Sequence, residues 1–380
     1  MIKFAKPSVN KKALSKIRDI FKTGTFVHGP FTKDFENKLS KFFCLTRNNI
    51  LSTASCTAAL HLYYLSINLR KGDEVIMSAQ THVATAHAVE ICGAKPVFVD
   101  CEIETGNIDI SKIKNKINKK TKCICVTHFL GKPTDMVKIN KIAKMFNLKV
   151  VEDTALSIGS KIKNKFSGTF GDVGAFSFHP VKIITTGEGG ALIVKNEKKF
   201  KLIKSLKSFG YDVAEPGKRK IPGDYNINHL GLNYRLSEIE AAIGIEELKE
   251  IKKKISIRKN NYNQLFKNIK KCKNFKIINT GSDKSFQSSY YALTIILNSK
   301  SKKIRNNLIL RLKKNKVQTS IYYPHPVSLL NYYKKKYKYN SKEFKNSMRI
   351  AYNSISFPVG PHINKKDIHH MSKTIKNLIG

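Results

Sequence analysis

Short apolar runs alternate with helix-length amphipathic segments between about residue 50 and residue 195. The runs are four or five residues long and mostly apolar, which is typical of strands buried on both faces. They cover residues 74–77, 96–100, 123–127, 150–153, 174–178 and 191–194. Segments of helical periodicity, such as 81–92 and 136–146, lie between several of them. This alternation predicts a mostly parallel sheet with crossover helices.

A different pattern begins in the last third of the chain. Apolar residues recur at helical spacing from 236 to 255, which predicts one long helix. Beyond it we expect strand-like runs such as 291–297 and two helical stretches. The sequence thus predicts an α/β protein with a large domain, residues 1–245 including an N-terminal arm. A smaller C-terminal α/β domain would follow, residues 246–380.

The composition indicates a folded protein and limits the cellular compartments in which we expect it. Of the 380 residues, 41% are hydrophobic, but no stretch reaches the ~20 apolar residues of a membrane span. The N-terminus lacks the apolar run of a secretory signal. The seven cysteines form no Cys-x-x-Cys pair, and the histidines show no metal-ligand spacing. We expect a cytoplasmic protein with reduced thiols, no membrane contact and no metal site.

The net charge of +43 raises the question of nucleic-acid binding, because clustered cations displace counterions from phosphate backbones. Here the lysines are dispersed along the whole chain, and no RNP, zinc-finger or basic-zipper pattern accompanies them. We therefore expect no specific nucleic-acid partner. The charge should still attract small anionic molecules.

The stretch from 177 to 190 carries the strongest chemical signal, Ser-Phe-His-Pro-Val-Lys-Ile-Ile-Thr-Thr-Gly-Glu-Gly-Gly. A strand ends at Phe178, Pro180 breaks it, and Lys182 follows in a polar turn before the next strand. A lysine there would project into a cavity at the edge of the sheet. Desolvation or neighbouring cations lower the pKa of such an amine, which can then form a Schiff base. A single lysine is weak evidence for a Schiff-base site, so the interpretation depends on the residues around it.

Asp153 lies at the carboxyl end of a predicted strand, where ligands gather in parallel sheets. A buried carboxylate there needs a partner. A protonated pyridine nitrogen would serve, since a cation about 4 Å away gains roughly 4 kcal/mol at an effective dielectric of 20, before desolvation. Capping of a following helix explains Asp153 alone equally well.

Small hydroxylic residues at 52–57 lead into a further helical pattern and leave Cys56 and Thr57 near its N-terminus. Free backbone N–H groups at such a terminus can bind phosphate. Ser55 or Thr57 could instead simply cap the helix. Together the three segments supply a phosphate site, an acid for a ring nitrogen and a lysine for an aldehyde.

With these segments the sequence resembles the pyridoxal-phosphate-dependent sugar aminotransferases of the DegT/DnrJ/EryC1/StrS family. Members have the aspartate aminotransferase fold (fold type I), with a large domain built on a mostly parallel sheet and a smaller C-terminal domain. The resemblance covers nearly the whole chain. It includes residues 25–30, 72–76, 93–100, 131–135, 177–190, 231–244 and 356–358.

The resemblance implies roles for individual residues. Lys182 would bind pyridoxal 5′-phosphate as a Schiff base and then move protons, and Asp153 would bind the pyridine nitrogen. Cys56, Thr57 and Ser177 would hold the phosphate, with Cys56 contributing its backbone amide. A lysine at 182 favours transamination, because members that dehydrate sugars have histidine there.

Further positions concern the second subunit and the surroundings of the cofactor ring. Asn233, with Arg235 as a second candidate, would reach the phosphate from the other subunit of a homodimer. His82 stands where the family usually has an aromatic residue stacked on the cofactor ring, and a surface histidine is the alternative. Leu156 stands where the family often has Gln or His near the phenolic oxygen of the cofactor.

The resemblance also implies the substrates. L-Glutamate would give its amino group to the keto group of a nucleotide-linked 4-keto-6-deoxy sugar, in surface polysaccharide or amino-sugar biosynthesis. Substrate contacts could come from His28, Tyr323 and His325, for which structural packing is an equal alternative. Two rival functions remain: another fold type I enzyme acting on amino or keto acids, and a regulatory homologue without activity.

Overall fold

The computed structural model describes residues 1–7, 9–47, 49–212, 219–299 and 301–380. The α-helices are α1 Ala13–Thr23, α2 Pro30–Phe42, α3 Cys56–Ser66, α4 Val83–Ile91, α5 Met136–Met145, α6 Glu197–Leu206, α7 Glu238–Lys249, α8 Ile251–Ile269, α9 Lys302–Lys314, α10 Asn331–Tyr337, α11 Lys345–Asn353 and α12 Lys365–Ile379. The strands are β1 Ile50–Thr53, β2 Glu74–Ser78, β3 Lys95–Val99, β4 Thr121–Thr127, β5 Lys149–Asp153, β6 Lys161–Ile162, β7 Lys165–Phe166, β8 Val173–Ser177, β9 Gly190–Val194, β10 Phe275–Ile277, β11 Phe286–Gln287, β12 Leu293–Leu297 and β13 Ser354–Phe357. No helix in these ranges is long and apolar enough to cross a membrane.

A seven-stranded sheet with the order β1-β9-β8-β5-β4-β2-β3 forms the centre of the protein. Strand β9 is antiparallel to both of its neighbours, and the pairs from β8 to β3 are parallel. The six predicted strands are confirmed within one or two residues at each end. Strand β1 was not predicted, because its four residues were interpreted only as the approach to the next helix.

Both faces of this sheet are buried, which explains the apolar runs. Alternate residues such as Val75 and Cys123 pack with α3 and α4 on one face. Their neighbours Ile76 and Ile124 pack with α5 on the other face. Because parallel strands end at the same edge, the carboxyl ends of β4, β5 and β8 come together, next to the start of α3.

The prediction of one helix from 236 to 255 is wrong. Helix α7 ends at Lys249, and α8 begins two residues later and continues to Ile269. Helix α7 packs against α1 and α2 beside the large sheet, whereas α8 packs against α12 and β12. The two helices have different partners, so the chain turns between them although the apolar spacing continues. Tertiary packing overrides the sequence periodicity here.

The C-terminal region contains a second sheet with the order β10-β12-β13, packed against α8, α9, α11 and α12. The expectation of two helical stretches beyond residue 270 is wrong, because α9, α10, α11 and α12 all lie there. Ile2 pairs with Val317 and belongs to the apolar core of this region. The predicted domain boundary between residues 245 and 246 stays a prediction, and it falls within α7.

Glu152 fixes the loop beneath the sheet, next to the predicted site. It is fully buried and accepts hydrogen bonds from the backbone amides of Gly168, Phe170 and Gly171 at 2.7–2.8 Å. His128 donates a fourth from Nε2 at 2.9 Å, since its Nδ1 accepts the Thr134 amide. Burial raises the pKa of Glu152, but these hydrogen bonds outweigh it and hold the pKa below its ordinary value.

We predict that Glu152→Gln lowers the free energy of unfolding by about 3 kcal/mol at pH 7, because buried charge-assisted hydrogen bonds are lost. The wild-type advantage is present above the ordinary glutamate pKa and disappears as the pH falls through the lower folded-state pKa. Denaturant unfolding at several pH values measures both effects. The exposed Glu197→Gln is the control, with a change below about 0.5 kcal/mol. An equally small change for Glu152→Gln would contradict the prediction.

Candidate active site

A cavity of about 410 Å³ opens at the edge of the large sheet where β4, β5 and β8 end. Most of the residues predicted from the sequence to bind a cofactor line it. They are Cys56, Thr57, His82, Asp153, Ser177 and Lys182, and the predicted substrate contact Tyr323 joins them. These residues come from positions more than 250 apart in the chain, and the fold brings them into one space.

Asp153 is a buried carboxylate with an incomplete set of partners. Its Oδ2 accepts a hydrogen bond from Thr85 Oγ1 at 2.6 Å, and its Oδ1 accepts one from the Ala155 amide at 3.0 Å. No α-helix begins here, so Asp153 caps a turn and not a helix. Among the described residues no cation lies within ion-pairing distance of it. A buried carboxylate without a cation is costly, so the site is prepared for a positively charged ligand.

Asp100 provides a comparison within the same sheet. It follows β3, is as buried as Asp153, and lies at the same type of strand end. Its carboxylate accepts hydrogen bonds from the amides of Asn346 and Ser347 at the start of α11, and from the Ser347 hydroxyl. Asp100 is therefore satisfied by the protein itself, whereas Asp153 faces a cavity.

Lys182 lies in the turn between β8 and β9, where its amide donates to the carbonyl of His179 at 2.9 Å. Its Nζ is 6.0 Å from the centre of the Tyr291 ring, and within the described residues no acceptor lies within hydrogen-bonding distance of that nitrogen. Burial lowers the pKa of Lys182, opposed by the neighbouring Cys56, Asp153 and Glu188. An amine with a lowered pKa is a better nucleophile toward a carbonyl near neutral pH.

The N-terminus of α3 forms another wall of the cavity. Ser55 caps this helix by accepting the Ala58 amide at 3.1 Å, so the capping interpretation is confirmed. The first-turn residues Cys56 and Thr57 line the cavity, which leaves a helix N-terminus facing it. A side chain at Gly190 would place its Cβ within 2.6 Å of the Ser55 and Cys56 backbone. The glycine therefore allows β9 to approach the helix start.

His82 and Ser177 complete the predicted cofactor set within the cavity. His82 is the N-cap of α4, where its Nδ1 accepts the Ala84 amide at 3.2 Å. Its ring meets that of Tyr323 edge-on, with the ring centres 5.6 Å apart. Ser177 ends β8 and lies beside Asp153 among the lining residues. The positions fit the expected roles, which stay predictions.

The remaining predicted residues lie outside the cavity of their own chain. Asn233 is exposed and pairs with the backbone of Ser208. Arg235 places Nη1 3.2 Å from Nε2 of His28. His325 packs edge-on against Tyr352, with ring centres 5.9 Å apart. For Asn233 and Arg235 this location agrees with a role toward another subunit.

The structure adds residues that the sequence interpretation missed. Thr85 holds Asp153, and Tyr291 lines the cavity with its hydroxyl group 3.0 Å from that of Tyr322. Leu156 also lines it, so an apolar side chain stands where the family often has Gln or His. Thr85 is 68 residues from Asp153 in the sequence, and no local pattern indicates such a contact.

The cavity can therefore accept one ligand with three features. A phosphate fits the α3 N-terminus, a cationic ring nitrogen fits Asp153, and a carbonyl carbon fits Lys182. Pyridoxal 5′-phosphate has all three. Among the described residues no cluster of His, Cys, Asp and Glu side chains is arranged to hold a metal ion.

Comparison with known proteins agrees with this geometry. Residues 7–376 match the DegT/DnrJ/EryC1/StrS aminotransferase family. The chain is 32% identical to the uncharacterized protein MJ1066 of Methanocaldococcus jannaschii, over 98% of this chain and 96% of that protein. It is 31% identical to the GDP-perosamine synthase of Escherichia coli O157:H7, over 92% of this chain and 90% of that enzyme.

The fold is shared with solved enzymes as well. The structure of the putative sugar aminotransferase Spr1654 from Streptococcus pneumoniae, in its PMP form, superposes with a TM-score of 0.92. The two proteins are 24% identical over 100% of this chain and 99% of that one. This likeness confirms the predicted fold. The chain belongs to the DegT/DnrJ/EryC1/StrS aminotransferase family and is an aminotransferase that depends on pyridoxal 5′-phosphate.

Proposed function

We propose that this aminotransferase moves the amino group of L-glutamate to the keto group of a nucleotide-linked 4-keto-6-deoxy sugar, for surface polysaccharide or amino-sugar biosynthesis. The observation that carries the proposal is the meeting of Lys182, Asp153 and the α3 N-terminus in one cavity. The similarity to a GDP-perosamine synthase over most of both chains supports a sugar nucleotide as the acceptor.

The residues of the cavity have distinct tasks in this reaction. When bound, the cofactor supplies an electron-withdrawing ring that stabilises the negative charge left by removal of a proton from the donor's α-carbon. Asp153 holds positive charge at the ring nitrogen, and Thr85 fixes the orientation of the Asp153 carboxylate. The amides of Cys56 and Thr57, with the Ser177 hydroxyl, bind the phosphate and thereby position the ring.

Lys182 has a second task as the base. Its Nζ takes the proton from the α-carbon of glutamate, and in the other half of the cycle it returns a proton to the sugar carbon. Burial lowers the pKa of Lys182, so a larger fraction of the amine is neutral at physiological pH and able to accept a proton. General acid–base work by a positioned amine typically contributes ~10²–10⁴-fold in rate.

The sugar nucleotide would enter from the open side of the cavity. Its diphosphate is attracted by the strongly basic chain, which has 70 Lys and Arg residues against 27 Asp and Glu. Tyr323 lines the cavity and would contact the sugar. His28 and His325 do not line the cavity of their own chain, so they would contact only a part of the substrate that extends beyond it.

A homodimer with shared active sites completes the proposal. Several large apolar side chains near α1 and in the segment before α7 are exposed in the single chain, at fractions of 41% to 91%. They are Phe21, Phe26, Ile221 and Leu230. A second copy would cover such a surface and bring Asn233 and Arg235 to the partner's phosphate.

Two observations weigh against the rival functions. A regulatory homologue has no need for a buried aspartate and a partly buried lysine that both lack an ion-pair partner within the described residues. A fold type I enzyme for plain keto acids would not resemble a sugar-nucleotide synthase over nearly its whole length.

We predict that Lys182→Ala abolishes covalent trapping of the cofactor by borohydride, because no other amine lines the cavity among the described residues. Lys195→Ala is the matched control, since burial lowers the pKa of Lys195 too, but its Nζ donates to the carbonyl of Phe170 outside the site. Mass spectrometry of the reduced protein locates the adduct. An adduct of unchanged yield in Lys182→Ala would refute the assignment.

We predict that L-glutamate bleaches the visible absorbance of the bound cofactor and that a nucleotide-linked 4-keto-6-deoxy sugar restores it. A panel of GDP-, UDP- and dTDP-linked keto sugars identifies the acceptor, with pyruvate and oxaloacetate as keto-acid controls. The absorbance should return only with a sugar nucleotide and with 2-oxoglutarate, the product of the first half. Restoration by pyruvate alone would favour the amino-acid rival.

We predict that mixing Lys182→Ala with an Asn233→Ala, Arg235→Ala double variant restores activity. Random pairing makes half of the dimers hybrid, and one of the two sites in each hybrid is intact, giving about a quarter of wild-type activity. Lys182→Ala mixed with Asp153→Asn is the control, because both residues belong to the same chain's site and no wild-type site can form. Absence of recovery in the first mixture would contradict shared sites.

A further inference from the structure

A second, smaller cavity lies on the other side of Lys182. It has a volume of about 40 Å³ and shares Val181, Lys182 and Tyr291 with the larger cavity. Its other walls come from the N-terminal segment 4–7, from α8 and from the segment that follows β13. The active-site lysine and the Tyr291 ring therefore separate two spaces of very different size.

Arg258 is the most unusual residue of this small cavity. It is more than nine-tenths buried, and burial lowers its pKa. Its Nη1 donates to the carbonyl of Tyr291 at 3.0 Å, while its buried Nε has no hydrogen-bond partner. Within the described ranges no carboxylate lies within ion-pairing distance. A buried guanidinium left in this state strongly favours an anion beside it.

The charges around Arg258 have the same sign overall. Glu247 also lines the cavity, but Lys254 lies 2.6 Å from its Oε2 and balances that charge. Lys6 adds an exposed cation at the cavity. His362 completes the wall, and burial lowers its pKa. Among the described lining residues the sum leaves Arg258, Lys6 and Lys182 without a compensating carboxylate, so an anion fits the space electrostatically.

Arg258 and Lys182 both lie beside the ring of Tyr291. Its guanidinium carbon lies 5.9 Å from the centre of the Tyr291 ring, and Lys182 Nζ lies 6.0 Å from the centre of the same ring. A cavity of about 40 Å³ has room for a few heavy atoms, since a water occupies about 30 Å³ of the liquid. A carboxylate group fits this volume, and a hexose does not.

From these observations we infer that Arg258 and the small cavity bind one carboxylate of a dicarboxylic amino donor and of its 2-oxo product. The inference rests on the proposed function, in which glutamate and a sugar nucleotide use the same lysine in turn. The two substrates then occupy different cavities: one carboxylate of the amino donor enters the small cavity, and the sugar occupies the large one. The guanidinium fork provides two parallel N–H donors for the carboxylate.

The test uses glutarate, a five-carbon dicarboxylate that has neither an amino nor a keto group and therefore cannot react. Calorimetry measures its binding to the holoenzyme of the wild type and of Arg258→Met, which removes the charge but keeps an apolar side chain of similar length. We expect the affinity for glutarate to fall by about 30-fold or more, as for loss of charge-assisted hydrogen bonds. Unchanged affinity would overturn the inference.

Arg305→Met is the matched control variant. Arg305 is also more than nine-tenths buried, and within the described residues its side chain donates only to the carbonyl of Ala351, at 3.2 Å, and has a buried Nε without a partner. It lies on α9 and lines neither cavity. Arg305→Met should lower the melting temperature comparably and leave glutarate affinity within about twofold of wild type. Equal loss of affinity in both variants would assign the effect to general destabilisation and overturn the inference.

A second variant covers the case in which Arg258→Met does not fold. Ala5 lines the small cavity from the N-terminal segment, so Ala5→Leu fills the space without touching the core of α8. We expect a similar loss of glutarate affinity with an unchanged melting temperature. Normal glutarate binding in a folded Ala5→Leu protein would contradict a carboxylate in this cavity.

The sugar half of the cycle separates this inference from the proposed function. When the protein is loaded with pyridoxamine phosphate, Arg258→Met should react with the keto sugar nucleotide in a single turnover, with a rate constant and a half-saturating concentration within about threefold of wild type, since the sugar does not enter the small cavity. Failure of every keto sugar with wild-type enzyme would refute the proposed function, even if glutarate binding depends on Arg258. Turnover of the sugar with normal glutarate binding in Arg258→Met would refute only the inference.

Discussion

The proposed chemistry depends on two charged groups, the buried Asp153 and the partly buried Lys182, that have no ion-pair partner within the described residues. The Asp153 carboxylate has no cation beside it, and the Lys182 amine has no acceptor, within the part of the chain that the structure describes. Each is costly alone, and a single ligand with a cationic ring and a carbonyl satisfies both. The Asp153 carboxylate and the Lys182 amine are therefore arranged so that the cofactor would supply the partners that the protein does not.

The end of β5 shows how the sheet divides these tasks. Glu152 and Asp153 are adjacent, so their side chains leave opposite faces of the sheet. Glu152 is saturated by three backbone amides and His128, and it holds the loop beneath. Asp153 keeps capacity for a ligand. Glu152 thus stabilises the fold on one face of the sheet, and Asp153 is available to a ligand on the other face.

Much of the fold and of the site could be predicted from the sequence, because the signals are local. Strands buried on both faces give continuous apolar runs, and the motif around Lys182 is unusual in its order of Pro, Lys and Gly. The break between α7 and α8 could not be predicted, since the apolar spacing runs through it and only the packing partners change. The sequence alone could not decide between helix capping and phosphate binding at the start of α3. Both are possible at once, because Ser55 caps α3 and the same helix start also faces the cavity.

Residues whose contacts lie far apart in the chain could not be identified from the sequence. Thr85 looks like any helical threonine until the fold places its hydroxyl on Asp153. Arg258 is one of 70 Lys and Arg residues, and its burial without a carboxylate in a cavity that Lys182 also lines becomes visible only in the structure. Asn233 and Arg235 lie outside their own chain's cavity, and the roles proposed for them would require a second subunit.

The most direct measurement is the protonation state of the cofactor's ring nitrogen, read from its ¹⁵N chemical shift in labelled pyridoxal 5′-phosphate bound to the protein. The wild type should show a protonated nitrogen, and Asp153→Asn should show a neutral one. Asp100→Asn, which removes charge from the self-satisfied strand-end carboxylate, should leave the wild-type signal intact. A ring nitrogen that is neutral in the wild type, or that stays protonated without the Asp153 carboxylate, would contradict the central role of the Asp153 charge.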